Sequence, residues 1–107
     1  MTDSCKNDSL DSIRCALGII GDRYTALLIK SMHDGPMRFK DFEKTIDGIS
    51  PRTLSQRLTM LEEQKIIEKG TCPESPGRLH YKLTQSGLDL DGVIHSLAEW
   101  GKRRQTK

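Results

Sequence analysis

The sequence predicts a mainly α-helical domain carrying one small β-hairpin. Apolar residues recur at helical spacing over several separate stretches, residues 78–83 alternate apolar with polar, and turn signals such as DGP, DGIS and PESPG divide them. The 107 residues suit one domain, with 1–8 as a flexible lead-in, 9–101 as the folded unit and 102–107 as a basic tail. Folding at this size buries roughly 65% of the unfolded chain's surface, so the core is thin. Hydrophobic residues make up only 35% and Trp occurs once, a lean supply that a second subunit would complete.

Taken in order, Ser9 or Asp11 caps a first helix whose stripe is Ile13, Ala16, Leu17 and Ile20, ended by Gly21-Asp22. A second helix over about Tyr24 to His33 is apolar almost all round, with Ala26, Leu27, Leu28 and Ile29, and a helix of that kind is central. After DGP, a short extended link at 37–39 leads to a third helix over about Lys40 to Thr45 and a turn at DGIS. Ser50-Pro51 then starts a fourth helix running to about Gln64: serine caps, and proline fits the first helical position, where its missing N–H does no harm. Two strands follow, IIEKGTC and RLHYKLT, the second setting Leu79, Tyr81 and Leu83 against Arg78, His80 and Lys82, with PESPG as the loop between them. From Ser86 a last helix presents Leu90, Val93, Leu97 and Trp100 and closes at Gly101.

Helix, helix, link, helix, helix, strand, strand, helix is the order of a winged helix-turn-helix domain: the third and fourth helices make the pair and the hairpin is the wing. On a wheel of ~100° per residue, Leu54, Leu58 and Leu61 form the buried stripe of the fourth helix. Arg52, Gln56 and Thr59 point the opposite way, Thr53 and Met60 lie beside them, and Arg57 sits on one flank. No acid falls on the helix before Glu62. Arginine reads guanine, glutamine reads adenine, hydroxyls reach bases or phosphates, and Ser50 stands at the positive end of the helix dipole. A solvated amphipathic helix short of acids by chance is the plainer account of that face, and the order of elements argues against it.

Linked motifs then bring a family into view. ALGIIGDRYTALLI, GPMRFKDFEKTIDGISPRTLSQRLTMLEEQKIIEK and YKLTQSGLDL followed by LAEWG resemble the HxlR-type winged helix-turn-helix transcriptional regulators of bacteria and archaea, over about residues 11 to 101. The resemblance implies a homodimer on an inverted-repeat operator in double-stranded DNA. Carried over by position, the DNA-facing set is Ser50, Arg52, Thr53, Gln56 and Arg57, with Arg38, Lys40 and Arg78 as phosphate contacts. It also implies that Ile13, Leu17, Ile20, Val93, Leu97 and Trp100 on the first and last helices form the dimer interface rather than packing on their own domain. Many members carry a cysteine shortly before the first helix, in some a thiol sensor; here Asp11 stands at that position. The candidate redox thiols are therefore Cys5, beside Lys6, and Cys15 within the first helix.

The remaining features restrict the function classes. Three widely spaced cysteines (with Cys72) argue against a disulfide scaffold. His33, His80 and His95 fall on separate elements with no ligand spacing, so no metal is expected, and no cofactor. No phosphate loop, nucleophile elbow or acid pair points to an enzyme. No apolar run reaches the ~20 residues of a membrane span and the polar start lacks a secretion signal, which predicts a cytoplasmic protein. The net charge of +2 does not by itself demand nucleic acid, although the tail KRRQTK adds four positive charges and no acid. The alternative function is a winged domain that has lost DNA binding and docks a partner protein, whose fourth helix would show apolar or acidic residues. The operator, the sense of regulation and any small-molecule or oxidant effector are not encoded in these patterns.

Overall fold

The computed structural model describes residues 9–72 and 75–105, and the side chains among them other than those of 72 and 75–77. The lead-in 1–8, and Cys5 with it, lies outside the described residues. The elements are α1 (Ser9–Ile20), α2 (Thr25–Ser31), α3 (Phe39–Thr45), α4 (Pro51–Glu63), β1 (Ile67–Cys72), β2 (Ser75–Leu83) and α5 (Gln85–Gln105), in the order the sequence predicts.

Helix α2 is central, with Thr25, Leu28 and Ile29 fully buried. It is shorter than its pattern suggests because turns take both ends: Asp22 accepts the Thr25 N–H, and Met32 and His33 donate to Ile29 and Lys30, three residues back. Around α2 the core gathers Phe42 of α3, Ile46 and Ile49 of the following turn, Leu54, Leu58 and Leu61 of α4, Ile66 and Ile67, and Ile94 of α5. Each such side chain contributes roughly 1.5–3 kcal/mol, and the α4 stripe is the one the wheel selects.

Helix α3 starts at Phe39, one residue before the expected Lys40, because the Asp41 carboxylate reaches back to accept the Arg38 N–H at 2.9 Å. Helix α4 ends in a Schellman arrangement: Ile66 donates to Leu61 and Lys65 to Glu62, with Lys65 at φ 61°, where glycine is usual.

The hairpin is antiparallel, pairing Ile67 with Leu83 through Thr71 with Leu79, and then shifting register to Cys72 with Ser75. β2 therefore begins three residues before Arg78, so the Ser75-Pro76-Gly77 part of the expected loop lies in the strand. The extended link at 37–39 is tied to β2 by reciprocal backbone bonds between Met37 and Tyr81, 2.9 and 2.8 Å long.

One correction concerns the C-terminal end of the fold. Helix α5 does not stop at Gly101 but continues through Lys102, Arg103 and Arg104, residues of good helix propensity on the far side of that glycine. Its buried side is Gly87, Asp91 and Ile94, so Val93, Leu97 and Trp100 face away from the domain. Helix α1 has no buried residue at all. Among the described residues no helix is long and apolar enough to cross a membrane.

Candidate nucleic-acid interface

Ser50 is the N-cap of α4, its hydroxyl oxygen accepting the Thr53 N–H at 3.1 Å, and Pro51 fills the first helical position. The Ser50 and Thr53 hydroxyls are themselves 3.0 Å apart, which fixes both at the entrance of the helix. Beyond them Arg52, Ser55, Gln56 and Thr59 are exposed on one open face, while Thr53 and Met60 are half-buried at its edge. No acid lies among these residues. Glu62 closes the series and turns to Lys69 on β1, 3.7 Å away.

Arg57 behaves differently from its neighbours. Its Nε forms an ion pair with Asp22 at the α1–α2 junction, and the side chain is only 33% exposed. Partial burial pushes the Asp22 carboxyl up, but the Thr25 hydroxyl and N–H and the Arg57 guanidinium outweigh it and hold the carboxyl below its ordinary value. Wheel geometry put Arg57 on the flank correctly; it contained no sign of Asp22, which reads in the sequence only as part of a helix break.

The three residues expected at phosphates come together. Arg38, Lys40 and Arg78 line one recess of about 340 Å³ with Phe39 and Leu79. The cause is the Met37–Tyr81 bridge: continuing that antiparallel register sets the start of α3 beside the outer part of β2. Lys40 and Arg78 are exposed and Arg38 half-buried, with Asp41 a distant 3.9 Å from the Arg38 Nε. The turn between α3 and α4 is held from behind, where the Tyr24 hydroxyl donates to the Gly48 carbonyl at 3.3 Å.

Of the six residues expected at a dimer interface, five lie in the open: Ile13 53%, Leu17 54%, Val93 58%, Leu97 55% and Trp100 57% exposed. Ile20 instead turns inward and packs half-buried against the core, since the last turn of α1 is the part that meets α2. Cys15, a candidate redox thiol, is exposed on α1 and disulfide-bonded; the Cys72 side chain is outside the described set. Among the described residues no group of three or more His, Cys, Asp or Glu could hold a metal.

Comparison with known proteins matches residues 19–107 to the HxlR-like helix-turn-helix family. The chain belongs to that family. It is 35% identical over 94 residues to the HTH-type transcriptional regulator YodB of Bacillus subtilis, covering 88% of this chain and 84% of YodB. An uncharacterized HTH-type transcriptional regulator of Methanothermobacter thermautotrophicus is 32% identical over 96 residues, 90% of this chain and 73% of that one. Among solved structures, the redox regulator HypR in its reduced form superposes with a TM-score of 0.81 at 27% identity, covering 89% of this chain and 94% of HypR. The reduced form of YodB gives 0.75 at 34%, covering 89% and 93%. The fold of this HxlR-family member is thus the winged helix-turn-helix, mainly α with a small β wing, and the protein is a helix-turn-helix transcriptional regulator.

Proposed function

We propose that this HxlR-family regulator works as a cytoplasmic homodimer that binds an inverted repeat in double-stranded DNA. The observation that carries the reading is the open face of α4. Arg52, Ser55, Gln56 and Thr59 stand free of any acid on a helix that fits the major groove. Arg38, Lys40 and Arg78, gathered in one recess, neutralise backbone phosphates beside it. Two copies join through Ile13 and Leu17 of α1 and Val93, Leu97 and Trp100 of α5, whose exposure leaves a lone copy with an uncovered apolar surface. No catalytic step is assigned to the chain.

A salt titration tests this reading. Phosphate neutralisation makes log affinity fall linearly with log salt, at about 0.9 per phosphate contacted. A steep slope supports the assignment, and a flat one means that the partner is not DNA.

A redox input is a second reading, favoured by the disulfide at Cys15 on the helix assigned to the dimer interface. The solved relatives include HypR, called a redox regulator, and YodB in a quinone-bound form. Reduction with dithiothreitol should change operator affinity in the native chain, re-oxidation with diamide should reverse it, and a Cys15→Ser variant should respond to neither. An identical response in both excludes Cys15 from any switch.

A further inference from the structure

We propose that Asp22 is a positioning residue for the recognition helix: through Arg57 it fastens α4 to the junction of α1 and α2, and so sets the spacing between the two recognition helices of a dimer. The inference rests on the reading of this chain as a dimeric DNA-binding regulator.

The geometry of Asp22 carries it. Its Oδ1 accepts the Thr25 N–H and its Oδ2 accepts the Thr25 hydroxyl, both at 2.9 Å, and Thr25 is fully buried. The carboxylate is therefore held by the most interior helix of the domain before it meets the Arg57 Nε. Little else joins α1 to α4. Beside the ion pair lies a recess of about 490 Å³ lined by Leu17, Gly18, Ile19, Gly21 and Met60, so apolar packing between the two helices is incomplete there. Helix α1 buries no residue of its own. Leu54, Leu58 and Leu61 hold α4 on the core, and the ion pair crossing that gap is the contact that ties it to the end of the helix assigned to dimerisation.

Half-site spacing on DNA is a geometric quantity, about 34–36 Å or one helical turn between recognition helices. Adding one base pair moves a half-site by about 3.4 Å and rotates it by about a tenth of a turn. A rigid dimer cannot follow that change, and a dimer with a loosened α4 can.

The experiment uses the full chain and an inverted-repeat duplex obtained by selection, together with duplexes having one base pair added or removed between the half-sites. The native protein should lose about tenfold or more in affinity on either change, within the range of one mismatched pair. Asp22→Asn keeps an acceptor for the Thr25 N–H and removes the charge, so its loss should shrink to about threefold or less. Asp22→Glu should restore discrimination, and Arg57→Gln should relax it from the other side of the pair should Asp22→Asn fold poorly. Arg52→Ala should weaken all three duplexes alike. Spacing discrimination unchanged in folded Asp22→Asn and Arg57→Gln overturns the inference while leaving DNA binding intact. A native chain that selects no inverted repeat overturns the functional reading, and this inference falls with it.

Discussion

Met37 and Tyr81 exchange two backbone hydrogen bonds, 2.9 and 2.8 Å long, and thereby pin the entrance of α3 against the inner strand of the wing. Residues far apart in the chain, Arg38 and Lys40 on one side and Arg78 on the other, consequently share one recess. If that recess holds phosphate, Arg78→Ala and Lys40→Ala each weaken binding by a similar factor on every duplex and lower the salt slope by about 1. Affinities measured on specific and random DNA across a salt series check it. A change confined to one sequence would point to base reading instead.

The open face of α4 makes the opposite demand. Arg52→Ala and Gln56→Ala remove candidate base contacts, and each should cost roughly 1–3 kcal/mol on the preferred operator with relaxed choice at single positions. Competition binding against operators substituted one position at a time reads this directly. Loss of affinity with base preference intact would reassign the residue to the backbone.

Most of this arrangement is legible in the sequence, and its gaps have physical causes. Leu54, Leu58 and Leu61 obey the helical period, and Ser50-Pro51 is local capping chemistry, so α4 can be drawn without a structure. The Asp22–Arg57 pair joins residues 35 positions apart in an element break and a helix flank, which no local pattern reports. The early start of β2 depends on cross-strand pairing. The continuation of α5 past Gly101 shows a glycine tolerated where its neighbours keep helical propensity. Exposure of the α1 and α5 stripes is also tertiary: amphipathic spacing gives the stripe and not what covers it.

That exposure has a measurable consequence. Leu97→Glu or Trp100→Glu places a charge where an apolar side chain is to be buried twice in a two-fold dimer, removing roughly 1.5–3 kcal/mol per copy. Sedimentation at micromolar concentration should show monomers, and the native dependence of Tm on protein concentration should disappear. Persistence of the native assembly in both variants would place the interface elsewhere.

The joint where α4 hands over to the wing and α5 gives predictions of opposite sign. The Thr84 hydroxyl donates to the Lys65 carbonyl at 2.6 Å and accepts the Gly87 N–H at 3.1 Å. A Cβ at Gly87 would lie 2.2 Å from the Ile66 carbonyl oxygen, so Gly87→Ala should destabilise by about 1–3 kcal/mol. Lys65, with φ 61°, carries a left-handed penalty that glycine lacks, so Lys65→Gly should be stabilising by about 1 kcal/mol. Denaturant midpoints at constant m-value test both.

Acid should loosen the Asp22 contact. The Asp22 carboxyl has a folded-state pKa below its unfolded value of about 3.9, so its contribution is fully present above that value and is lost as pH falls through the folded pKa. The stability difference between native protein and Asp22→Asn should be level above about pH 5 and shrink below pH 4. A difference independent of pH through that range would show that the charge of Asp22 contributes nothing.

Selection of bound sequences from random duplex DNA, followed by sequencing, tests the central claim most directly. The account predicts enrichment of an inverted repeat whose half-sites lie about one helical turn apart. A folded protein that enriches no motif at low salt would contradict it and turn attention to the open face of α4 as a surface for a protein partner.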